Sequence, residues 1–277
     1  NLCVGETNVL TVAGGELDYG WLSSAANIAT VTADPADTSK GLVVGVSSGM
    51  VILTATDTNQ CSAVYTNYVS QLAWIRPPTP NDGFITCVGD TNFFAASNSF
   101  AVAAFQWNPA GAVTTAADGL SSTNRYAWTT PGSNQVMKVT QGECSLAVTG
   151  TVVKVELTKK PTSAISPRTD GPAGLAASDS EATITVKTTP AGFEDQVTLE
   201  IKEVKLLNAS DPAYAPPDNG QLVQDATDKT KWKYTTWKEA RNQIHPHTMV
   251  VKIVAKLNGQ ECGSPINVVV KSVYDYI

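Results

Sequence analysis

The segment Cys3-Val4-Gly5-Glu6-Thr7-Asn8 recurs further along the chain as Cys87-Val88-Gly89-Asp90-Thr91-Asn92, and this repetition decides the fold. A tryptophan and then a second cysteine follow each copy, namely Trp21 and Cys61, then Trp107 and Cys144. The spacing between the two cysteines is nearly the same in both copies. A Cys…Trp…Cys order at this spacing is typical of an immunoglobulin-like (Ig-like) β-sandwich, with the tryptophan packed on a bridge across the core. The repetition therefore predicts two successive sandwiches of this type.

The rest of the chain extends the all-β pattern into a third unit. Short runs rich in Val, Ile and Thr alternate with Gly, Asn, Asp and Pro, whereas long helical patterns are nearly absent. We expect three tandem Ig-like β-sandwich domains, at residues 1–75, 76–158 and 175–277, with a linker at 159–174. In the third domain, which is divergent, a long inserted loop is predicted around 208–228 and a short helix at 236–241.

The cysteine pattern predicts bridges within each repeat. Four cysteines allow three pairings, and only Cys3–Cys61 with Cys87–Cys144 respects the repeat. Such bridges form in oxidising compartments, so we expect an extracellular or cell-surface protein. The alternative is two pairs of free buried thiols. Cys262 is expected to stay unpaired as an inert buried thiol. The alternatives are that it forms a disulfide with another chain or is a reactive thiol.

Composition excludes several classes of function. The chain has 277 residues, 42% hydrophobic and 16% charged, with a formal net charge of −6. A nucleic-acid binder needs an excess of Lys and Arg, and a membrane span needs about 18 or more apolar residues in a row, so neither is expected. The chain begins with Asn rather than Met, which predicts a mature form or a piece of a longer polypeptide.

Residues 28–57 carry a recognisable pattern. The strand Ile28-Ala29-Thr30-Val31 precedes the turn Gly45-Val46-Ser47-Ser48-Gly49 and a strand that ends in Thr54-Ala55-Thr56. This order resembles the bacterial Ig-like group 2 repeat, which occurs in tandem in surface proteins and adhesins of the intimin and invasin group. The second unit is similar to Ig-like and PKD-like repeats of secreted Bacteroidetes proteins, on Gln106-Trp107, Tyr126-Ala127-Trp128 and Pro131-Gly132-Ser133. The resemblance implies spacing, display or adhesion rather than catalysis.

No catalytic residue, metal site or cofactor is predicted. Residues 45–49 fit the G-x-S-x-G pattern of hydrolase nucleophiles, but a strand rather than a helix follows, so we expect a hairpin turn whose glycines take positive φ. His245 and His247 are the only histidines, and two ligands bind a transition metal weakly, so a polar loop is expected there. The acidic runs at 34–38 and 57–59 are typical of turns. Calcium binding by these residues at a joint between domains is the alternative interpretation.

Three aromatic residues of the third unit form a candidate ligand-binding surface. Trp232 and Tyr234 would share one face of a strand, with Lys231 and Lys233 on the other, and Trp237 follows. Such rings could stack on a carbohydrate. Protection of an edge strand by the lysines is the alternative explanation.

We therefore expect a non-enzymatic surface or structural protein: a spacer, an adhesin, or a subunit of a fibre, sheath or surface layer. Its partners would be other proteins or copies of itself, as in a homopolymer, with surface glycans as a further option. The alternating tail at residues 271–277 could add a strand to a neighbour's sheet edge. The alternative function is a carbohydrate- or peptide-binding third domain on an Ig-like stalk.

Overall fold

A computed structural model describes residues 1–16, 18–76, 83–100, 103–169, 180–209, 213–239 and 246–272. Over these residues the chain is almost entirely β-structure and contains no α-helix. It divides into two compact units. Unit 1 comprises Asn1–Phe84, Thr91–Ala127 and Asn134–Gly150, and unit 2 comprises Ile85–Asp90, Trp128–Ser133 and Thr151–Ile277.

The first part of unit 1 is an Ig-like sandwich of two sheets. Its strands are β1 Leu2–Cys3, β2 Thr7–Thr11, β3 Gly20–Ser23, β4 Ala29–Asp34, β5 Asp37–Gly45, β6 Gly49–Thr56 and β7 Ser62–Ser70. One sheet has the order β1-β7-β6-β3 and the other β2-β5-β4, and β1 runs parallel to β7. Strand β6 alternates strictly and buries Val51, Leu53 and Ala55. Val51 and Leu53 share one core cluster with Val43 of the facing sheet, which is why a period of two in the sequence produces a two-layer core.

The connection between β5 and β6 corrects one expectation. Gly45 and Gly49 bound it as predicted, but it crosses from one sheet to the other and is not a hairpin. Neither glycine has a left-handed φ. A Cβ on Gly45 would lie 2.5 Å from the carbonyl oxygen of Cys3, and a Cβ on Gly49 would lie 2.6 Å from Ile28. Close approach of neighbouring groups, rather than positive φ, therefore requires these glycines.

The rest of unit 1 contains a second four-stranded sheet. The strands that follow are β8 Leu72–Arg76, β9 Phe84–Cys87, β10 Thr91–Asn98, β11 Phe105–Asn108, β12 Ala112–Thr115, β13 Ser121–Ala127, β14 Gly132–Gln141 and β15 Cys144–Lys160. The order in the sheet is β12-β13-β10-β8, and β11 pairs with β14. Trp107 is buried as predicted, and its indole N–H donates to Ser122 at 3.0 Å. Trp21, by contrast, is only half-buried.

Unit 2 is a β-sandwich with its own core. Its remaining strands are β16 Arg168–Thr169, β17 Glu181–Thr189, β18 Val197–Ala209, β19 Gln221–Gln224, β20 Lys231–Thr235, β21 Lys238–Glu239, β22 His247–Leu257, β23 Gln260–Glu261 and β24 Ile266–Ser272. One sheet runs β15-β17-β20-β19, and in the other β22 lies between β18 and β24. Fully buried side chains from both sheets, among them Ile184 and Ile253, form one continuous core.

In each unit one stretch of chain changes its pairing partner without an intervening loop. In unit 1, β7 pairs with β6, and after the single residue Gln71 the chain continues as β8, which pairs with β10. In unit 2, β15 pairs with β9, and its residues 154–160 then pair with β17. In unit 1 two sheets are therefore joined by backbone that is hydrogen-bonded on both sides of the joint, and in unit 2 one long strand pairs first with β9 and then with β17.

This continuity changes the predicted linker. Lys159 and Lys160 belong to β15, and Ile165 is buried with a backbone bridge to Val270 of β24. Residues 159–169 are thus part of the folded unit, and residues 170–174 lie outside the described residues. The three-domain boundaries remain a prediction, since the compact units divide the chain differently.

The helix predicted at 236–241 is wrong over its described part. Lys238 and Glu239 form β21, which pairs in parallel with β16, and Thr236 donates its hydroxyl to the carbonyl of Ser166 at 3.0 Å. Tertiary hydrogen bonds therefore override a weak local helical preference. Within the inserted loop predicted at 208–228, β18 extends to Ala209 and β19 forms at Gln221–Gln224, so the segment is not wholly a loop.

A side chain at position 41 should destabilise the protein. A Cβ at this position of β5 would lie 2.6 Å from the ring of Trp21, whereas a Cβ on Gly20 would meet nothing closer than 3.9 Å. We expect Gly41→Ala to destabilise the protein by about 1–3 kcal/mol, as overpacking does. Gly20→Ala is the matched control and should be neutral or slightly stabilising. Equal urea midpoints for the two variants would contradict this packing.

Candidate functional site

The two copies of the repeated segment fold into the same turn, called here the CVG turn. In the first copy Gly5 has φ 86°, a left-handed conformation that favours glycine, and the N–H of Glu6 donates to the carbonyl of Cys3 at 3.0 Å. The second copy has φ 92° at Gly89 and 3.1 Å from the Asp90 nitrogen to the Cys87 carbonyl oxygen. The sequence repeat is therefore a repeat of backbone geometry.

Each CVG turn binds the same point of the strand that leaves its sheet. The N–H of Val4 donates to the carbonyl of Ser70 at the end of β7, at 3.0 Å. In unit 2 the N–H of Val88 donates to the carbonyl of Val153 in β15, also at 3.0 Å. Immediately after each contact the chain begins to pair with a new partner, β10 through β8 in unit 1 and β17 in unit 2.

A disulfide closes over each of these contacts. Cys3 is bonded to Cys144 within unit 1, and Cys87 is bonded to Cys262 within unit 2, with Cα atoms 5.5 Å apart in both. The Sγ of Cys144 lies 4.0 Å from the carbonyl oxygen of Ser70, and the Sγ of Cys262 lies 3.8 Å from that of Val153. We call each of these disulfides, with its turn, a staple. Cys3 and Cys87 are the turn cysteines.

The predicted pairs Cys3–Cys61 and Cys87–Cys144 are therefore wrong, and so is the prediction that Cys262 is unpaired. Cys61 is the free cysteine, and it is exposed. Cys3 lies beside Ser70 at one end of β7, which is 9 residues long, whereas Cys61 precedes the other end. A strand of this length spans about 30 Å, and a disulfide needs Cα atoms within about 7 Å.

The staples constrain long stretches of chain. They join residues 141 and 175 positions apart in sequence, and the chain-entropy model assigns loops of this size about 5 kcal/mol each. All four bonded cysteines are buried. Burial shields a disulfide from attack by external thiolates, which is what a permanent structural bond requires.

The aromatic surface predicted for ligand binding does not exist as an exposed surface. Tyr234 and Trp237 are completely buried, and Trp232 is half-buried against the core of unit 2. The predicted alternation in β20 is confirmed, because Lys231 and Lys233 are exposed on the opposite face. The aromatic face is, however, the inner one, so ligand binding by these three rings is corrected to core packing.

Trp237 belongs to a buried polar cluster that sequence reasoning missed. Its indole N–H donates to Oε1 of Glu239 at 2.8 Å, and the hydroxyl of Tyr214 donates to the same oxygen. Nε2 of His247 lies 3.2 Å from that oxygen, and the His247 ring stacks on Tyr214 with centroids 4.1 Å apart. One carboxylate thus holds three aromatic rings from separate segments.

The electrostatics of this cluster favour an ionised Glu239. Burial alone would raise the pKa of Glu239, but hydrogen bonds from His247, Tyr214 and Trp237 outweigh burial and hold that pKa below its ordinary value. Burial, followed by the hydrogen bond to Glu239, raises the pKa of Tyr214. The tyrosine stays a neutral donor and the glutamate a charged acceptor. Because its rings lie in the core, the cluster stabilises the fold of unit 2.

The other predicted candidates are accounted for by local bonding. His247 is the second histidine of the predicted pair and lies in this cluster, while His245 lies outside the described residues. Ser47 donates its hydroxyl to the carbonyl of Asn27 at 2.6 Å. The carboxylate of Asp57 accepts from the N–H of Cys61 at 2.8 Å, and Asp34 accepts from the N–H of Ala36, as turn chemistry predicts. Within the described ranges, no three metal-binding side chains converge.

An open groove of about 760 Å³ runs beside the second staple in unit 2. Asp90, Glu156, Glu261 and Lys154 lie along it, and Lys154 forms an exposed ion pair with Glu156. Burial raises the pKa of Asp90. The carboxylates point to no acid–base pair, because the hydrogen bond and charge of Lys154 lower the pKa of Glu156.

No known family model matches the chain, and no curated protein does. Among solved structures, domains 4–9 of the surface layer protein SbsC are 13% identical over 93% of this chain and 40% of that one, with a TM-score of 0.24. The titin fragment I67–I69 is 8% identical over 98% of this chain and 93% of that one, with a TM-score of 0.32. The tandem Ig repeats of Dlar are 14% identical over 72% and 97%, with a TM-score of 0.24.

At TM-scores of 0.32 and below, these likenesses carry no argument about fold or function. The Ig-like sandwich is assigned from the strand order of the chain itself, and membership of bacterial group 2 stays a prediction. The chain spans less than half of the SbsC fragment. In the described part of the chain, no helix is long and apolar enough to cross a bilayer.

Proposed function

We propose that this chain is a non-enzymatic, extracellular structural protein, a spacer or surface-assembly subunit whose successive Ig-like repeats are covalently locked. The observation that carries the proposal is the recurrence of one complete staple in both units. In both units the bond joins the turn cysteine of one repeat to a cysteine of the following repeat, so it ties successive repeats together as well as stabilising them. Recurrence at each exit is what a stiff array requires.

The connection between β7 and β8 in unit 1 is built in a way that supports a spacer function. The chain crosses it through one residue, Gln71, between hydrogen-bonded strands, and the bond from Cys3 to Cys144 makes a second attachment. A single attachment leaves a hinge, whereas two separate attachments remove most rotation about it. Flexible multidomain chains instead use Gly- and Ser-rich linkers of many residues.

The extracellular assignment rests on the disulfides themselves. Buried disulfides that close loops of this length persist in oxidising compartments and are rare in the cytosol. The exposed carboxylates and lysines on the described surface form scattered ion pairs, such as Lys233 with Glu181. They form no constellation of the kind that catalysis needs.

Small-angle X-ray scattering tests the spacer function. The oxidised protein should give a narrow distance distribution that is unchanged by salt. Cys3→Ser with Cys144→Ser should broaden it, because the joint in unit 1 is then held by backbone alone. Cys61→Ser is the matched control, which removes a cysteine but no staple and should leave the distribution unchanged. Identical curves for the staple variant and the wild type would overturn the proposal.

A further inference from the structure

Among the described residues, the first repeat has a sheet edge without a partner strand where the later sheets have one. Strand β10 follows the second CVG turn and is covered on its outer side by β8, and β17 is likewise covered by β15. Strand β2 follows the first CVG turn and pairs only with β5 among the described residues. The strand missing from β2 is the one that a preceding repeat supplies in the other two sheets.

The composition of β2 is that of a covered strand. Its sequence Thr7-Asn8-Val9-Leu10-Thr11 has no charge and no proline, and Val9 is 48% exposed. Natural sheet edges that face solvent are protected by lysine, proline or a bulge. Its partner register with β5 is regular over all five residues. An edge of this kind is a template for an added strand.

Cys61 occupies the same position as two bonded cysteines. It directly precedes β7, as Cys144 opens β15, and Cys262 likewise follows a tight hairpin. We call these three the hairpin cysteines. Cys144 and Cys262 are bonded to turn cysteines and are only 4% and 2% exposed. Cys61 is held in place by the buried carboxylate of Asp57, which accepts its N–H, yet its thiol is exposed.

A single preceding repeat could supply both the strand missing beside β2 and the bonding partner of Cys61. In unit 1 the first repeat supplies β8 to the edge of β10 and Cys3 to the hairpin cysteine Cys144. The strand and the cysteine thus come from the same repeat. A donor for β2 and Cys61 would be another Ig-like repeat with a strand that runs on past its last sheet and a cysteine in its turn.

We propose that the β2 edge and Cys61 form a docking end that takes the outgoing strand and the turn cysteine of a preceding Ig-like repeat. The partner is not a correctly stapled copy of this chain, because the five cysteines include only two turn cysteines, Cys3 and Cys87, and both are engaged. It lies upstream on the same polypeptide or on a separate chain. This inference rests on the proposed structural function and names its partner.

Non-reducing peptide mapping of the native protein, alkylated before lysis, tests the docking end. Cys61 should be linked to a cysteine in the turn of another Ig-like repeat, and the sequence of the linked peptide tells the same polypeptide from a separate chain. A free, alkylated Cys61, or one bonded to a small thiol or to Cys61 of another copy, would overturn the inference. The Cys3–Cys144 and Cys87–Cys262 peptides are read in the same experiment, and if these are absent the proposed function fails as well.

A tandem protein gives a second, independent test. A copy of residues 1–84 placed directly before Asn1 reproduces the natural spacing between the CVG turns at Cys3 and Cys87, and so puts a turn cysteine and a β8-like strand in the required register. Cys3 of the added copy should bond Cys61 of the chain, and the amide protons along β2 should exchange at least about tenfold more slowly. With Cys61→Ser in the chain, Cys3 of the added copy should be alkylated. If Cys61 of the original chain can still be alkylated while Cys3–Cys144 and Cys87–Cys262 both form, the inference is wrong.

Discussion

Pulled from its two ends with both staples closed, the chain should reach a contour length of only about 27 nm, against about 99 nm after reduction, at about 3.6 Å per residue. The covalent route leaves residue 3 through the disulfide to 144, returns along the backbone to 87, and crosses to 262. Only residues 1–3, 87–144 and 262–277 therefore lie on the route that bears force, because all others are bypassed by a disulfide. Single-molecule force spectroscopy measures both lengths directly.

Variants of the staples should lengthen this route by different amounts. Without Cys3–Cys144 the contour length should be about 36 nm, and without Cys87–Cys262 about 49 nm. Cys61→Ser should leave it unchanged. Pairing within each repeat, as Cys3–Cys61 and Cys87–Cys144, would instead give about 58 nm. An oxidised length near that value would refute the staples.

The sequence repeat was sufficient to predict the fold class but insufficient to predict the pairing. Residues 3–8 and 87–92 do mark equivalent turns, and the tryptophan order does mark sandwiches. The disulfide pairing depends instead on which end of β7 the first CVG turn contacts. Only the register of Cys3 with Ser70 supplies that information, and no local pattern in the sequence encodes it.

The aromatic residues show a related limit. Alternation in residues 231–235 correctly predicts that Trp232 and Tyr234 share a face, but a period of two does not say which face is inside. The lysines at 231 and 233 were compatible with either reading. The aromatic face of β20 is the buried one because the side chains of the sheet β18-β22-β24 pack against it and form the core of unit 2.

The cluster around Glu239 left almost no sequence signal. Tyr214 is 25 residues away from Glu239, and His247 lies on a different strand. A lone glutamate among aromatic residues in a β-rich segment is the only hint. Since buried carboxylates are rare unless paired, such a residue is worth testing as the centre of a polar network.

Loss of the Glu239 carboxylate should be among the most damaging single changes in unit 2. Glu239→Ala removes the oxygen that accepts from Trp237 and Tyr214 and lies 3.2 Å from Nε2 of His247, and each buried donor left without an acceptor costs about 1–3 kcal/mol. Glu239→Gln keeps the shape and one acceptor oxygen, so its loss should be smaller. Urea unfolding followed by the near-UV signal of the aromatic rings measures both.

The pH dependence separates the charge of Glu239 from its packing. Since the folded-state pKa of Glu239 lies below its ordinary value of 4.5, its stabilising contribution is complete above that value and is lost as pH falls through the folded pKa. The contribution of the Glu239 charge to the difference in unfolding free energy between wild type and Glu239→Gln should therefore be complete above about pH 4.5 and shrink below it. Glu200→Gln, which removes an exposed carboxylate paired with Lys256, is the control and should change stability by no more than about 0.5 kcal/mol. A Glu239→Gln difference that stays constant from pH 7 to pH 3 would show that the cluster holds unit 2 by shape alone.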